Sequence, residues 1–347
     1  MSPAPVLSTV RFALESVKIT ERVSAKFRWL SFLAAWAVVG IHSGTSRWTS
    51  RPDWSDGVQA QIIGLFGFAV PLFFMISGYL LVYSYEKYGF IKLIRLKVKS
   101  LYVPCVLWMV LSEALIIPIK LYCGEDVSAW TYLYAPLLVY ENFSISFHLW
   151  YVRALLVVFL FSPIIWWLIS TKARLCFSLV IIVGSLFLPS CVFHIGPYSV
   201  QYAKITVSSV LLGACLARLR NEERFGRIAV VISGLTLGVL LIMGFKLQAV
   251  PYKLVFAVLV WFGYDVLSDK VKFRNYNFLR VTFFVYCVHL VVIKYISGIG
   301  RVVMGCSPEM KLIFFCVNIL SFWLCVIVGC LIFRFSPKLF SLLSGGR

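Results

Sequence analysis

Long apolar stretches alternate with short basic segments along this chain. A helix needs roughly 20 residues to cross about 30 Å of hydrocarbon. Ten stretches meet that length: about 29–45, 58–83, 101–122, 147–169, 175–192, 203–219, 227–244, 251–268, 279–297 and 311–334. Only Ser170 to Arg174 separate the fourth from the fifth, and the fifth is short. The predicted fold class is all-α, a polytopic integral membrane protein of about ten transmembrane helices.

The basic residues give the topology, because short cytoplasmic loops carry an excess of Lys and Arg. With the N-terminus inside, the inner segments hold Arg11 to Arg28, Lys87 to Lys99, Lys172 and Arg174, Arg218 to Arg227, Lys270 to Arg280, and Arg334 to Arg347. The outer segments hold few, and both termini are expected in the cytoplasm. Three regions follow: a cytoplasmic segment 1–26, a ten-helix domain 27–335 and a cytoplasmic tail 336–347. Residues 1–26 lack an apolar h-region, so no cleavable signal peptide is expected. Val10, Ala13, Leu14 and Val17 share one helical face opposite Arg11, Glu15 and Lys18. That pattern fits either a helix lying on the inner membrane surface or a plain tail.

Composition narrows the class further. With 61% hydrophobic and only 14% charged residues, a 347-residue globule could not cover itself with polar groups. The net charge of +19 would suggest nucleic acid in a soluble protein, but here it is spread over topology-setting segments. Nucleic acid is therefore excluded as a partner, and the bilayer is the expected one. The ten Cys form no CxxC pair and no zinc spacing, and no internal repeat is visible. Aromatic-rich outer loops, roughly 46–57 and 123–146, fit an acceptor site or an interfacial belt.

Ionisable groups inside a bilayer cost several kcal/mol unless paired or wetted, so each one is a functional hint. His42 lies near the outer end of the first segment; it is either a proton-transfer group or a histidine packed in a Gly40/Gly44 helix contact. The second segment holds Pro71 and then Phe73-Phe74-Met75-Ile76-Ser77-Gly78-Tyr79, where Ser77-Gly78 permits close backbone approach. His148 opens the fourth segment, followed by Trp150, and Arg153 lies deeper by about 1.5 Å per residue. Glu113, on the neighbouring segment, is placed to neutralise Arg153. Near the middle of the ninth segment, Tyr286 and His289 face either His42, a substrate or a neighbouring helix. Lys92, Arg95, Lys97 and Lys99 form a dense cationic run that suits phosphates and equally suits the positive-inside rule.

Four blocks, taken in order, resemble the acyltransferase 3 family of membrane acyltransferases over nearly the whole chain. They are Val38-Val39-Gly40-Ile41-His42-Ser43, Phe73 to Tyr79, His148-Leu149-Trp150-Tyr151-Val152-Arg153 leading to Ser162-Pro163, and Phe284-Val285-Tyr286-Cys287-Val288-His289. The resemblance implies transfer of an acyl group, most often acetyl, from cytoplasmic acyl-CoA to a hydroxyl of an extracytoplasmic glycan or lipid-linked sugar. It implies acetyl-CoA as co-substrate, no permanently bound cofactor and no metal. The setting is a multi-pass cell membrane protein of the bacterial inner-membrane type, and a homodimer is compatible with it. By resemblance His42 is the essential first-helix histidine, and Lys92 to Lys99 match a segment that holds CoA phosphates. Many members carry an Arg eleven residues before that histidine; here the position is Ser31, and Arg28 is the nearest Arg. The expected site is then His42, Arg153, Glu113 and His148 for chemistry, with Arg28 joining the cationic run for the donor. Ser77, Tyr79, Trp150, Tyr286 and His289 support it. A transporter or flippase, or an inactive scaffold of the same fold, are the competing readings.

Overall fold

The structure, a computed structural model, describes residues 17, 19–43, 54–122, 147–187, 193–195, 198–200, 203–219, 225–244, 247, 249–304 and 308–346. Expectations for the 1–16 segment and for the aromatic loop 123–146, with most of 46–57, lie outside them. Helices occupy every one of the ten apolar segments. In chain order they are α1 Glu21–Ser43, α2 Trp54–Phe66, α3 Ala69–Lys97, α4 Val103–Tyr122, α5 Trp150–Leu160, α6 Ser162–Leu168 and α7 Lys172–Phe187. Then come α8 Ala203–Arg218, α9 Gly226–Ile242, α10 Val250–Ser268, α11 Thr282–Met304, α12 Pro308–Phe335 and α13 Pro337–Ser344. The short strands β1 Phe193–Ile195 and β2 Tyr198–Val200 pair antiparallel, with Phe193 opposite Val200.

Among the described residues, four stretches are long and apolar enough to cross a membrane by themselves: Ala60–Leu115, Val250–Ser268, Asn277–Ser297 and Phe315–Phe335. A fifth is added if α5 and α6, bent by 66°, form one broken span. The bend falls at Phe161, just before Pro163, whose ring and missing N–H interrupt helical bonding. The other expected spans are helical but fall short of the same test. Lys26, Arg28 and His42 reduce the hydropathy of α1, while α8 and α9 have only 16 and 17 residues.

The segment 58–83 is two helices rather than one, because α2 stops before Gly67-Phe68 and α3 begins at Ala69. Pro71 consequently sits in the first turn of α3. There its missing N–H is one that no helix would satisfy, so it frees no carbonyl in mid-span. α3 breaks again at Gly89 (φ 68°) and runs through a π-helical turn, Val98–Tyr102, into α4.

Packing centres on α1, which touches α2, α3, α10, α11 and α12. The closest helix pair is α3 with α8. A Cβ on Gly78 would run into the Val210 carbonyl, and one on Gly213 into the Met75 carbonyl. Two small residues thus let the backbones meet, as small-residue interfaces do within membranes. Among the described residues, one exposed ion pair, Arg22 with Asp269 at 3.0 Å, and two more deeply set ones bolt the basic end. Lys26 Nζ lies 2.6 Å from Asp265 Oδ2 with both side chains 3% exposed, and it sits 4.4 Å above the Trp261 ring centroid. Arg218 pairs with Glu86, whose other oxygen accepts the Val17 N–H at 2.9 Å.

Most of the 336–347 region is helical. α13 is an amphipathic helix folded back beneath the bundle, burying Phe340 and Leu343. Phe340 stacks on Phe284 at 6.2 Å, and Trp108 Nε1 donates to the Leu343 carbonyl at 2.9 Å. Phe340 and Leu343, spaced i and i+3, give it a buried face together with Ser344, while Leu339 and Leu342 stay exposed.

Candidate active site

A cavity of about 780 Å³ opens at the basic end of the bundle and runs inward between α1, α3, α5 and α11. Its lining follows helical periodicity. α1 supplies Ser24, Phe27, Arg28 and Ser31, and α3 supplies Phe73, Ile76, Ser77 and Leu80, each set spaced i, i+3, i+4, i+7. Tyr151, Leu155 and Phe159 come from α5, and Thr282, Phe283 and Tyr286 from α11. Lys97, Ser100, Arg280, Gly345 and Gly346 complete the mouth. The charged lining residues are Arg28, Lys97 and Arg280, all cations.

Beyond the inner end lies a group of imidazoles. His42 on α1 and His289 on α11 have ring centroids 5.3 Å apart. His148, in the 3₁₀ turn Phe147–Leu149, stands 4.7 Å from His289 and 6.3 Å from His42. Three helical elements far apart in the chain therefore bring their histidines to one point. His148 and His289 are buried, and His42 is nearly so. His289 Nδ1 lies 2.7 Å from the Tyr286 carbonyl and 3.3 Å from that of Val285. A carbonyl only accepts, so Nδ1 carries the proton and the neutral ring keeps its Nε2 lone pair free to accept. Among the described residues, Nε2 of His289 has no hydrogen-bond partner.

The wall between cavity and histidines is aromatic. Tyr286 donates its hydroxyl proton to the His148 carbonyl at 2.5 Å, and its ring centroid lies 5.4 Å from that of His148. Tyr151 packs 5.9 Å from Tyr286 and exchanges a hydrogen bond with Ser77 Oγ at 3.0 Å. His42 itself does not line the cavity; Tyr286 and His148 stand between. On the far side, Asn318 Nδ2 donates to the Ser43 carbonyl at 3.4 Å and to Ser297 Oγ at 3.1 Å. That buried bond set ties the end of α1, next to His42, to α11 and α12.

Not every expected residue gathers here. Tyr79 lies two residues from Ser77, so it points across α3 to pack on Phe27 at 4.9 Å and Trp261 at 6.1 Å. Trp150 packs on Phe74 at 6.2 Å. Of the cationic run only Lys97 reaches the cavity; Lys92, Arg95 and Lys99 are exposed outside it. These three are spaced i, i+3, i+7 and share a face that Lys97 does not. Glu113 is buried on α4, and Arg153 is half-buried on α5 within electrostatic range of Cys105, eight residues before Glu113. Arg280 and Tyr151 were not singled out from the sequence. Arg280 was lost among loop cations, whereas the spacing of Arg28 and Ser31 on α1 could have pointed to the cavity face.

One comparison decides the family. A model described as an acyltransferase domain, of the acyltransferase 3 type, matches residues 25–334. The chain belongs to the acyltransferase 3 family. No curated protein and no solved structure matched. Family membership together with the apolar helices makes this a membrane acyltransferase. The matched span begins within α1 and ends within α12, so the three histidines and most of the cavity lining fall inside the acyltransferase domain, whereas Ile19, Ser24 and the Gly345-Gly346 turn after α13, which also line the cavity, lie outside it.

Proposed function

We propose that this acyltransferase moves an acyl group, acetyl in the simplest case, from acyl-CoA at the basic face to a hydroxyl of a glycan or lipid-linked sugar at the opposite face. The cell membrane, of bacterial inner-membrane type, is its setting, with ten crossings and both termini on the donor side. The observation that carries this reading is the shared face of α1. Arg28, Ser31 and His42 lie at spacings of 3 and 11 residues, so all three project to one side, with His42 about 16 Å beyond Ser31. One helix thus links a cationic cavity to an imidazole.

In this mechanism Arg28, Lys97 and Arg280 hold the phosphates of the donor, since guanidinium and ammonium groups match phosphate oxygens. The acyl-bearing arm extends past Ser77 and Tyr151 toward Tyr286. Tyr286 and Tyr151 shift to admit the thioester to His42. The acceptor hydroxyl oxygen then attacks the thioester carbon while His42 takes the hydroxyl proton. The tetrahedral intermediate collapses, the carbon–sulfur bond breaks, and the thiolate leaves with the proton that His42 returns. In this reading His148 and Arg153 stabilise the developing oxyanion, and Glu113 balances Arg153. His289, fixed by its bonds to backbone carbonyls, orients His42.

Arg28 and Ser31 both line the cavity, so the absence of an Arg at position 31 leaves a cation one turn away on the same wall. This favours an active enzyme over an inactive scaffold. Binding of radiolabelled acetyl-CoA to purified protein, followed by mass spectrometry of surface glycans with and without the gene, tests the proposal. Binding together with loss of one acetyl mass per acceptor is the expected result. An unchanged glycan profile with no bound acetyl-CoA would refute it.

A further inference from the structure

The mouth of the cavity is closed on one side by backbone rather than side chains. α13 ends in Gly345 (φ 70°) and Gly346 (φ 76°), whose N–H donates to the Ser341 carbonyl at 2.8 Å. Both glycines line the cavity beside Lys97, Ser100 and Arg280. A Cβ on Gly345 would run into the carbonyl of Ser100. Ser100 sits in the π-helical turn that links α3 to α4. Such turns widen the helix locally and recur at functional sites. Two non-α backbone segments therefore meet directly, and only a residue without a side chain permits the approach.

α13 is held firmly enough to make this wall permanent. Phe340 and Leu343 are in the core, and the Trp108 indole bonds the Leu343 carbonyl. The Gly-Gly turn puts no charged side chain of its own at the mouth. Its lack of side chains also leaves the width of the mouth to the backbone. At Gly346 an added Cβ would meet only Ser341 Oγ, at 3.7 Å, so the space beside it is open.

We infer that the Gly345-Gly346 turn is a specificity-determining wall of the donor site, setting how bulky a phosphate-bearing head the mouth admits. The inference rests on the acyl-CoA reading above. It reaches beyond it by assigning a binding role to a segment outside the matched acyltransferase domain.

Gly346→Asn is the test, because Asn tolerates a positive φ and places a side chain at the opening. The full-length protein in detergent is compared with the variant for acetyl-CoA binding, steady-state transfer and thermal melting. The expected result is a rise of about tenfold in the KM for acetyl-CoA, with kcat and the KM for acceptor within about twofold and an unchanged melting temperature, a split that uniform loss of binding produces. Trp108→Phe, which removes the bond to Leu343 while keeping an aromatic ring, should weaken donor binding in the same direction by loosening α13. Unchanged donor KM in both variants, with wild type binding acetyl-CoA normally, overturns the role of the turn alone. A wild-type protein that binds no acetyl-CoA overturns both this inference and the donor reading beneath it.

Discussion

At the basic mouth, Arg28, Lys97 and Arg280 stand around open space; at the other end of the same α1 face, His42, His148 and His289 are packed ring against ring. The first region borders an open cavity, and its charges sit on long side chains. The second is dry, and each ring is held by a neighbour or a backbone carbonyl. Charges in water interact weakly and are screened by salt, whereas groups in a low-dielectric setting act strongly and tolerate little displacement. A transferase that must recognise a large anionic donor and then exchange one proton has use for both environments. The tyrosine wall of Tyr151 and Tyr286 marks where one gives way to the other.

This contrast can be broken most sharply at His42. His42→Ala should reduce transfer by about 10³-fold or more, within the range seen for a lost general base, while expression and thermal melting stay as in wild type. Retained turnover would remove the dry region from the chemistry altogether. Glu113→Gln and Arg153→Met should come next. On the proposed pairing, each single variant leaves one membrane-embedded charge with less compensation, and about 3–5 kcal/mol is the upper scale for such a break, less on the half-buried Arg153 side; melting curves of the two singles and of the double variant check it. If both singles fold and turn over normally, the pair has no role.

A smaller effect, of about tenfold on kcat, is expected for Tyr286→Phe and for His289→Gln. Neither lies beside the cations at the mouth, so the KM for donor should move less than kcat, and steady-state kinetics in both substrates separates the two regions. At the mouth the pattern should reverse. Arg28→Gln and Lys97→Gln should each raise the donor KM by roughly fivefold, more at low salt than at high salt, with kcat nearly constant. Lys92→Gln, Arg95→Gln and Lys99→Gln should leave both constants within about twofold, since these side chains lie outside the cavity. A large effect there would show that the donor extends over the surface of the cationic run.

Much of the scaffold was legible from the chain because bilayer helices are dictated by length and hydropathy, which are local properties. Helices fill all ten apolar stretches. What hydropathy missed was where one stretch divides, at Gly67-Phe68, because two apolar helices in succession look like one. The candidate chemistry was partly legible. Single histidines within apolar runs stand out, and three of them, His42, His148 and His289, do converge. Tyr79 and Trp150 were grouped with them by proximity in sequence, but a helix turns about 100° per residue, so neighbours point apart. The basic run divides for a related reason: Lys97 differs from Lys92, Arg95 and Lys99 in face, not in composition.

The sequence by itself determined that the chain is helical, lives in a membrane, and carries a few imidazoles and charges that hydrocarbon would not tolerate without a purpose. Tertiary structure alone decided which of them meet. The His42–His289 contact joins residues 247 apart and the Lys26–Asp265 pair residues 239 apart, and α13 reaches back to Ser100. Such meetings depend on how helices pack and on which glycine lets two backbones touch. Those choices follow from the shape of every neighbour at once, whereas periodicity reports only on one helix at a time.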